Sequence, residues 1–380
     1  MVYLDYAANT PVDKEVLDKF YDVTLNNYGN PNSSHKLGLE AQRLIEDATS
    51  EIARLLHVTA SEIIYTSGAT EANNLAIRGA CERYRERGNH IILSSLEHSS
   101  LISSAVLLES QGFVVDYVPV LENGIVDIDK LEEMIRDDTI FVSIVSVDSD
   151  LGIAQPIEDI GKMLKEKHPD VIFHTDASQS VGKTEINFEN VDLVTISPHK
   201  FYGINDLGIL IKKDNISLRP IILGGKGSTS IRSGTPNTAS IVANGLALKK
   251  ALENGEERFN YVKELRDNLV EFLSGFEEVH INSTVNSLPY LVNFSVKGVS
   301  SNRVVELLDK KEIYLSSKNV STPDNVPSKL VMALTNSSSL AASSIRIGLS
   351  YLTTEDELEE FKEAFKEVLK EIMSSDYGKE

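Results

Sequence analysis

The stretches HTDASQS (residues 174–180) and SPHK (197–200) decide how this chain folds. Each follows a short run of apolar, β-branched residues, VIF at 171–173 and VDLVTI at 191–196. An acid thus closes one apolar strand, and a lysine lies just past the end of the next. Similar runs occur on either side: EIIYTS (62–67), HIILSS (90–95), FVVDYVPV (113–120), IFVSIVSV (140–147) and LGILIK (207–212). Helical periodicity separates most of them. Leu37, Ala41, Leu44, Ala48, Ile52 and Leu55, for example, share one helix face. Buried strands alternating with helices predict an α/β fold, a mainly parallel seven-stranded sheet covered by helices on both faces.

The last third differs. LPYLVNFSV (288–296) and SIRIGLS (344–350) read as strands and VVELLDKK (304–311) as a helix. A terminal helix places Leu358, Phe361, Phe365, Leu369 and Ile372 on one face, with Thr354 and Glu357 spaced for a capping box. A smaller α+β domain is expected here. The expected division is a large domain over 13–254 and a small one over 1–12 and 255–380. The opening dozen residues pack on the small domain or against a partner subunit.

Composition bounds the function. The 380 residues are 41% hydrophobic and 25% charged, as in soluble globular proteins. A formal net charge of −20 argues against a nucleic-acid partner, which needs clustered Lys and Arg. No apolar run is long enough for a membrane span. The N-terminal stretch has neither a basic nor an apolar signal region, so no signal peptide is expected. With Cys81 as the one cysteine, no internal disulfide forms, and a cytoplasmic setting is expected.

Ligands of open α/β sheets bind at the carboxyl ends of the strands. Four polar clusters fall there: Thr66-Ser67-Gly68-Ala69-Thr70, Glu97-His98, Asp176 with Gln179, and Ser197-His199-Lys200. In SGATEANN (67–74) a strand breaks at Gly68 and a helix follows, which suits either a phosphate or a plain helix cap. The P-loop pattern GxxxxGK(S/T) is missing, and GGKGS (224–228) reads as a flexible loop. Asp176 and Lys200 admit two readings. They are a salt bridge between strand ends, or they serve pyridoxal phosphate. That cofactor needs a lysine to form a Schiff base, an acid at its pyridinium nitrogen and a phosphate cradle.

At this point the sequence resembles the cysteine desulfurase (NifS/IscS-like) branch of the class V aminotransferases, pyridoxal-phosphate enzymes of fold type I. The resemblance runs through YLDYAANTPVD (3–13), GNPNSSH (29–35), TSGATEANNLAIRG (66–79), EHSS (97–100), HTDASQSVGK (174–183), SPHKFYG (197–203), IRSGTPN (231–237) and SSIRIGLS (343–350). It implies that Lys200 carries the internal aldimine and moves the Cα proton. Asp176 holds the pyridinium nitrogen, Gln179 donates to the ring phenolate oxygen, and His98 stacks on the ring. Ala69, Thr70, Ser197 and His199 bind phosphate, with Thr235 reaching in from the other subunit of a homodimer. Arg346 clamps the substrate carboxylate as a bidentate fork, assisted by Asn30.

The pattern breaks in three places. A desulfurase of this family uses a loop cysteine as the sulfur-accepting nucleophile. In LSSKNVSTPDNVPS (315–328) Ser321 stands at that position, and a neutral hydroxyl has no persulfide chemistry. Asp148 occupies a position where the family has asparagine near the phenolate oxygen, so it is either protonated, turned elsewhere, or changes the proton balance of the cofactor. Ile204-Asn205 replaces a family proline–lysine pair.

The expected activity is that of a pyridoxal-phosphate enzyme acting on a small amino acid. After Cα deprotonation, β-elimination or transamination is favoured over persulfide-forming desulfuration, and epimerisation is a further outlet. The alternatives are a desulfurase that uses an external thiol and a non-catalytic paralogue that acts as a partner or regulator.

Overall fold

In a strand, successive side chains point to opposite faces, so one covered on both sides must be apolar throughout. This requirement is met along the centre of the molecule. The computed structural model describes residues 1–185, 187–225, 227, 229–317 and 327–376. All seven expected strands join one sheet. In spatial order they are Ile63–Thr66, Gly208–Lys212, Leu193–Ile196, Ile172–Asp176, Thr139–Ser143, His90–Ser94 and Val114–Val118. Ile91 and Leu93 face the apolar layer under helices Ala69–Tyr84 and Ser99–Ser110. Ile92 faces the opposite layer with helices Lys36–Leu55, Ile157–Lys167 and Thr238–Leu252.

Five neighbouring strands run parallel, and Gly208–Lys212 runs antiparallel to both its neighbours. Val114–Val118 forms one of the two sheet edges, where Val114 and Tyr117 are exposed.

A second, three-stranded sheet places Leu291–Val296 between Ser344–Gly348 and Val279–Ile281, antiparallel to both. Helices Gly255–Ser274, Ser301–Asp309 and Glu355–Asp376 complete its apolar cluster, in which Phe365 meets Phe294 and Phe361. The expected capping box opens the terminal helix. Thr354 N–H donates to Glu357 at 2.8 Å, and Glu357 N–H donates to the Thr354 hydroxyl at 3.2 Å.

The first residues belong with this second cluster. Val2–Tyr3 pairs parallel with Ile313–Tyr314, and Val2 and Leu4 are fully buried. Residues 5–10 then cross to the large sheet, where the Thr10 hydroxyl donates to the His199 carbonyl at 2.9 Å. That crossing lays a short backbone segment over the strand ends. Among the described residues no helix is long and apolar enough to cross a membrane.

Candidate active site

A cavity of about 420 Å³ opens at the carboxyl ends of the seven-stranded sheet. Adjacent parallel strands end side by side, so residues far apart in sequence meet there. Asp176 is the last residue of its strand and is buried. One carboxylate oxygen accepts from Ser178 N–H at 2.9 Å, and the other from Asn73 Nδ2 at 2.7 Å. Lys200 ends the short 3₁₀ turn Pro198–Lys200 that follows the neighbouring strand. Its Nζ donates to the carbonyls of Ala7 and Ala8 at 2.8 and 2.6 Å. The two residues do not pair with each other, so the salt-bridge reading is replaced by two groups held separately around one cavity. Burial pushes the Lys200 amine down to about 8, and the Arg346 charge adds to this. Asp5 and Asp176 oppose it.

Asn73 also donates to the Ser100 hydroxyl at 2.9 Å. Ser100 Oγ lies 2.9 Å from His98 Nδ1, and Ser100 N–H donates to the same nitrogen at 3.2 Å. A backbone N–H can only donate, so Nδ1 accepts and the neutral ring carries its proton on Nε2. The chain Asp176–Asn73–Ser100–His98 therefore fixes both the acid and the imidazole. Burial lowers the His98 pKa. The Lys200 charge pushes the same way, against Asp176 and Asp150.

Gln179 follows Asp176 by three residues. Its Nε2 donates to the Ala7 carbonyl at 2.9 Å, and its Oε1 accepts from Lys183 Nζ at 2.6 Å. Helix Ala69–Tyr84 begins after Gly68, and among the described residues no side chain caps its first turn. Its opening residues Ala69 and Thr70 line the cavity with Ser197 and His199, whose side chains meet at 2.9 Å. Burial and the charges of Lys200 and Lys183 push His199 down to about 4. Glu71 stands beside this cradle, and Arg232 neutralises it through contacts of 2.9 and 3.2 Å.

Arg346 enters from the small sheet, in the middle of strand Ser344–Gly348, and is 1% exposed. Its Nη1 donates to the Ser149 carbonyl and its Nη2 to Asp5 Oδ1, each at 2.9 Å. Arg346 Nε and Ser178 Oγ are buried, line the same cavity region and have no protein partner among the described residues.

Three expected residues lie outside this cavity. Asp148 is fully buried, but both its oxygens turn to its own turn, accepting from the N–H groups of Asp150, Leu151 and Ile153 at 2.9, 2.7 and 2.8 Å. Its neighbour Ser149 lines the cavity instead. The cofactor contact expected of Asp148 is not made in this conformation; the carboxyl is turned elsewhere, one of the outcomes its sequence position left open, because a short acid preceding a turn finds three backbone donors there. Burial still raises its carboxyl to about 6. Asn30 is exposed and accepts from Asn32 N–H at 2.9 Å. Thr235 is exposed. Of the substituted pair, Asn205 lines the cavity. Ser321 lies outside the described residues, as do Lys226 and Ser228 of the glycine-rich stretch. Cys81 is fully buried in the apolar layer of helix Ala69–Tyr84, and burial raises its thiol pKa.

Sequence reasoning missed Ala7, Ala8, Asn73, Ser100, Ser149 and Lys183. Asn73 carried a signal, since it is a polar residue on a helix face otherwise made of Ala72, Leu75, Ala76 and Ile77. The two alanines act through their carbonyls, which side-chain patterns do not reveal.

Known proteins resemble this chain along nearly its whole length. The family described as Aminotransferase class-V matches residues 2–361. Cysteine desulfurase IscS of Buchnera aphidicola subsp. Baizongia pistaciae (strain Bp) is 39% identical over 367 residues, covering 94% of this chain and 90% of the relative. A solved NifS-like protein superposes with a TM-score of 0.92 at 33% identity, covering 97% of this chain and 99% of its own. A structure described as SspA in complex with cysteine superposes with a TM-score of 0.82 at 32% identity, covering 93% of this chain and 100% of its own. The chain belongs to the class V aminotransferase family, in its cysteine desulfurase branch, and its cofactor is pyridoxal phosphate.

Proposed function

We propose that this protein removes the Cα proton of a small amino acid and expels its β-substituent, a C–S lyase-type β-elimination. The observation that carries this reading is the convergence of Lys200, Asp176, Gln179, His98 and Arg346 on one cavity, in a chain whose single cysteine is buried elsewhere. The residues present fit the cofactor. The uncapped helix start with Ser197 and His199 suits a phosphate, and the buried Ser178 Oγ is a polar group in want of a partner.

Asp176 would face the ring nitrogen, with its carboxylate oriented by Ser178 and Asn73. Gln179 would donate from Nε2 to the ring oxygen. His98, oriented by Ser100, would stack on the ring. Ala69, Thr70, Ser197 and His199 would hold the phosphate, with Thr235 of the partner subunit joining them in a homodimer. The exposure of Thr235 supports a role across an interface. When bound, pyridoxal phosphate joins an amine through its aldehyde carbon and withdraws electrons from the carbon that bears that amine. Lys200 Nζ would take the proton from that carbon. An amine near pKa 8 is partly neutral around pH 7, as a general base must be. Arg346 receives the substrate carboxylate, a role its unpaired Nε supports. Asn30 and Asp148 are assigned no contact in this chain's own site.

The same reading divides the chain into a large domain (13–254) and a small one (1–12 and 255–380), and it places the protein in the cytoplasm. The SspA structure supports a cysteine-sized substrate. In elimination from cysteine the Cα–H and Cβ–S bonds break, and hydrolysis leaves pyruvate, ammonia and sulfide. The desulfurase names of the relatives favour a second outlet, in which an external thiol takes the sulfur and alanine remains. Product analysis with L-cysteine, with and without dithiothreitol, separates them. Pyruvate is expected. Alanine that depends on added thiol would replace the lyase reading. No product from cysteine or other amino acids would point to a regulatory paralogue.

A further inference from the structure

Lys183 has no place in the chemistry above, yet its Nζ lies one contact behind the cavity. It donates to Gln179 Oε1 at 2.6 Å, while Gln179 Nε2 donates to the Ala7 carbonyl at 2.9 Å. An ammonium only donates and a carbonyl only accepts, so together the two contacts allow one orientation of the amide. With Oε1 engaged, the group left to serve the cavity is the NH₂, which retains one hydrogen. Gln179 can therefore act there only as a donor.

The surroundings of Lys183 are unusual for a cation. It shares a cavity of about 20 Å³ with Lys200, lined also by Tyr6, Tyr202, Tyr290, Tyr351 and Arg258 and, among the described residues, by no carboxylate. Among the described residues it forms no ion pair. On the outer side Glu185 and Glu256 border the groove that it reaches. Burial and the charges of Lys200 and Arg346 push its amine down to about 7. An amine partly withdrawn from water lowers stability unless its contacts compensate, and among the described residues the one polar contact of Lys183 is to Gln179.

We propose that Lys183 is a positioning residue for the cofactor, holding Gln179 so that its amide nitrogen, and not its oxygen, meets the ring oxygen. This rests on the roles given above to Gln179 and Lys200. A donor at the ring oxygen stabilises the oxygen's anionic form. Losing it moves the pH midpoint of the visible absorbance of the bound cofactor upward.

The test titrates that absorbance in the cofactor-loaded wild type, Lys183→Met, Gln179→Ala, the double variant and Lys183→Arg. Gln179→Ala is expected to raise the midpoint by about half to one pH unit, the scale of one hydrogen bond. Lys183→Met should move it the same way, the double variant no further than Gln179→Ala, and Lys183→Arg should restore the wild-type value. A wild-type midpoint in Lys183→Met, or additive shifts in the double variant, would overturn the proposal. A wild-type midpoint in Gln179→Ala would instead show that the reading of Gln179 is wrong, and the proposal would fall with it. Should Lys183→Met not fold, Lys183→Leu takes its place under the same expectations.

Discussion

The strand ends around Asp176 and Lys200 differ from the surroundings of Arg346. Asp176 and Lys200 sit at or just past the ends of adjacent strands, and parallel pairing brings them to the same edge. Arg346 sits in mid-strand on another sheet, and its guanidinium is held by Asp5 and the Ser149 carbonyl. Ser316 ties in as well, bonding through its hydroxyl to Asp5 at 2.8 Å. The backbone positions of the first region are set by the register of one sheet, with Ala7, Ala8 and Asn73 holding the side chains. The second is assembled from segments as much as 341 residues apart. Substitutions in the first should cost chemistry alone, whereas in the second they should cost chemistry and stability together.

Lys200→Ala gives the largest expected effect. Turnover and the visible absorbance of bound cofactor should both vanish, while the thermal midpoint falls little, since removing a buried amine relieves desolvation. A colourless wild type or a coloured Lys200→Ala protein would break the assignment. A large loss of stability would break the contrast between the regions. The same group predicts a pH effect. Only the neutral amine attacks the aldehyde, so the rate at which stripped protein regains cofactor should rise as pH increases through about 8.

Asp5→Ala comes next and tests the second region. Removing one partner of a buried pair leaves the other uncompensated and costs about 3 kcal/mol. The thermal midpoint should fall by about 5–10 °C, with kcat/KM for the amino acid lowered by about tenfold or more. An unchanged midpoint would show that Arg346 does not depend on its distant partners.

Asp148→Asn sharpens the comparison on the turn that presents Ser149 to Arg346. The folded-state pKa of Asp148, about 6, lies above its ordinary 3.8. A raised carboxyl pKa means that the folded state holds the proton more tightly. Its contribution to stability is present in full below the ordinary pKa and is lost as pH rises through about 6. The wild type should therefore lose up to about 3 kcal/mol relative to Asp148→Asn between pH 4 and pH 7. Parallel stability profiles for the two proteins would refute this. The smallest effect is expected for Glu51→Ala. This residue pairs with Arg54 at 2.7 Å on an exposed helix surface, and solvent screens the pair. Its thermal midpoint should stay within about 1 °C of the wild type.

Much of the molecule was legible in the chain itself. Apolar runs of three to eight residues marked seven strands, and the acid and lysine at two of their ends were visible because strand direction and polarity change are local features. The helix start at Gly68 and the Thr354–Glu357 cap were legible for the same reason. The direction of Asp148 was left open because its neighbours in sequence supply three donors, and only the path of the turn determines whether a side chain faces a ligand or its own backbone. Ala7 and Ala8 were missed because they act through carbonyls. Asn73 and Lys183 were missed because their partners lie across a helix–sheet packing or behind another side chain.

By itself, then, the sequence determined the sheet, the edge at which the chemistry gathers and most of the polar groups there, since periodicity and strand ends are short-range properties. The tertiary structure alone decided which way each buried polar group points. That orientation follows from donors and acceptors brought together by packing, from Asp5 on Arg346 to Lys183 on Gln179, and no local pattern encodes such distant pairings.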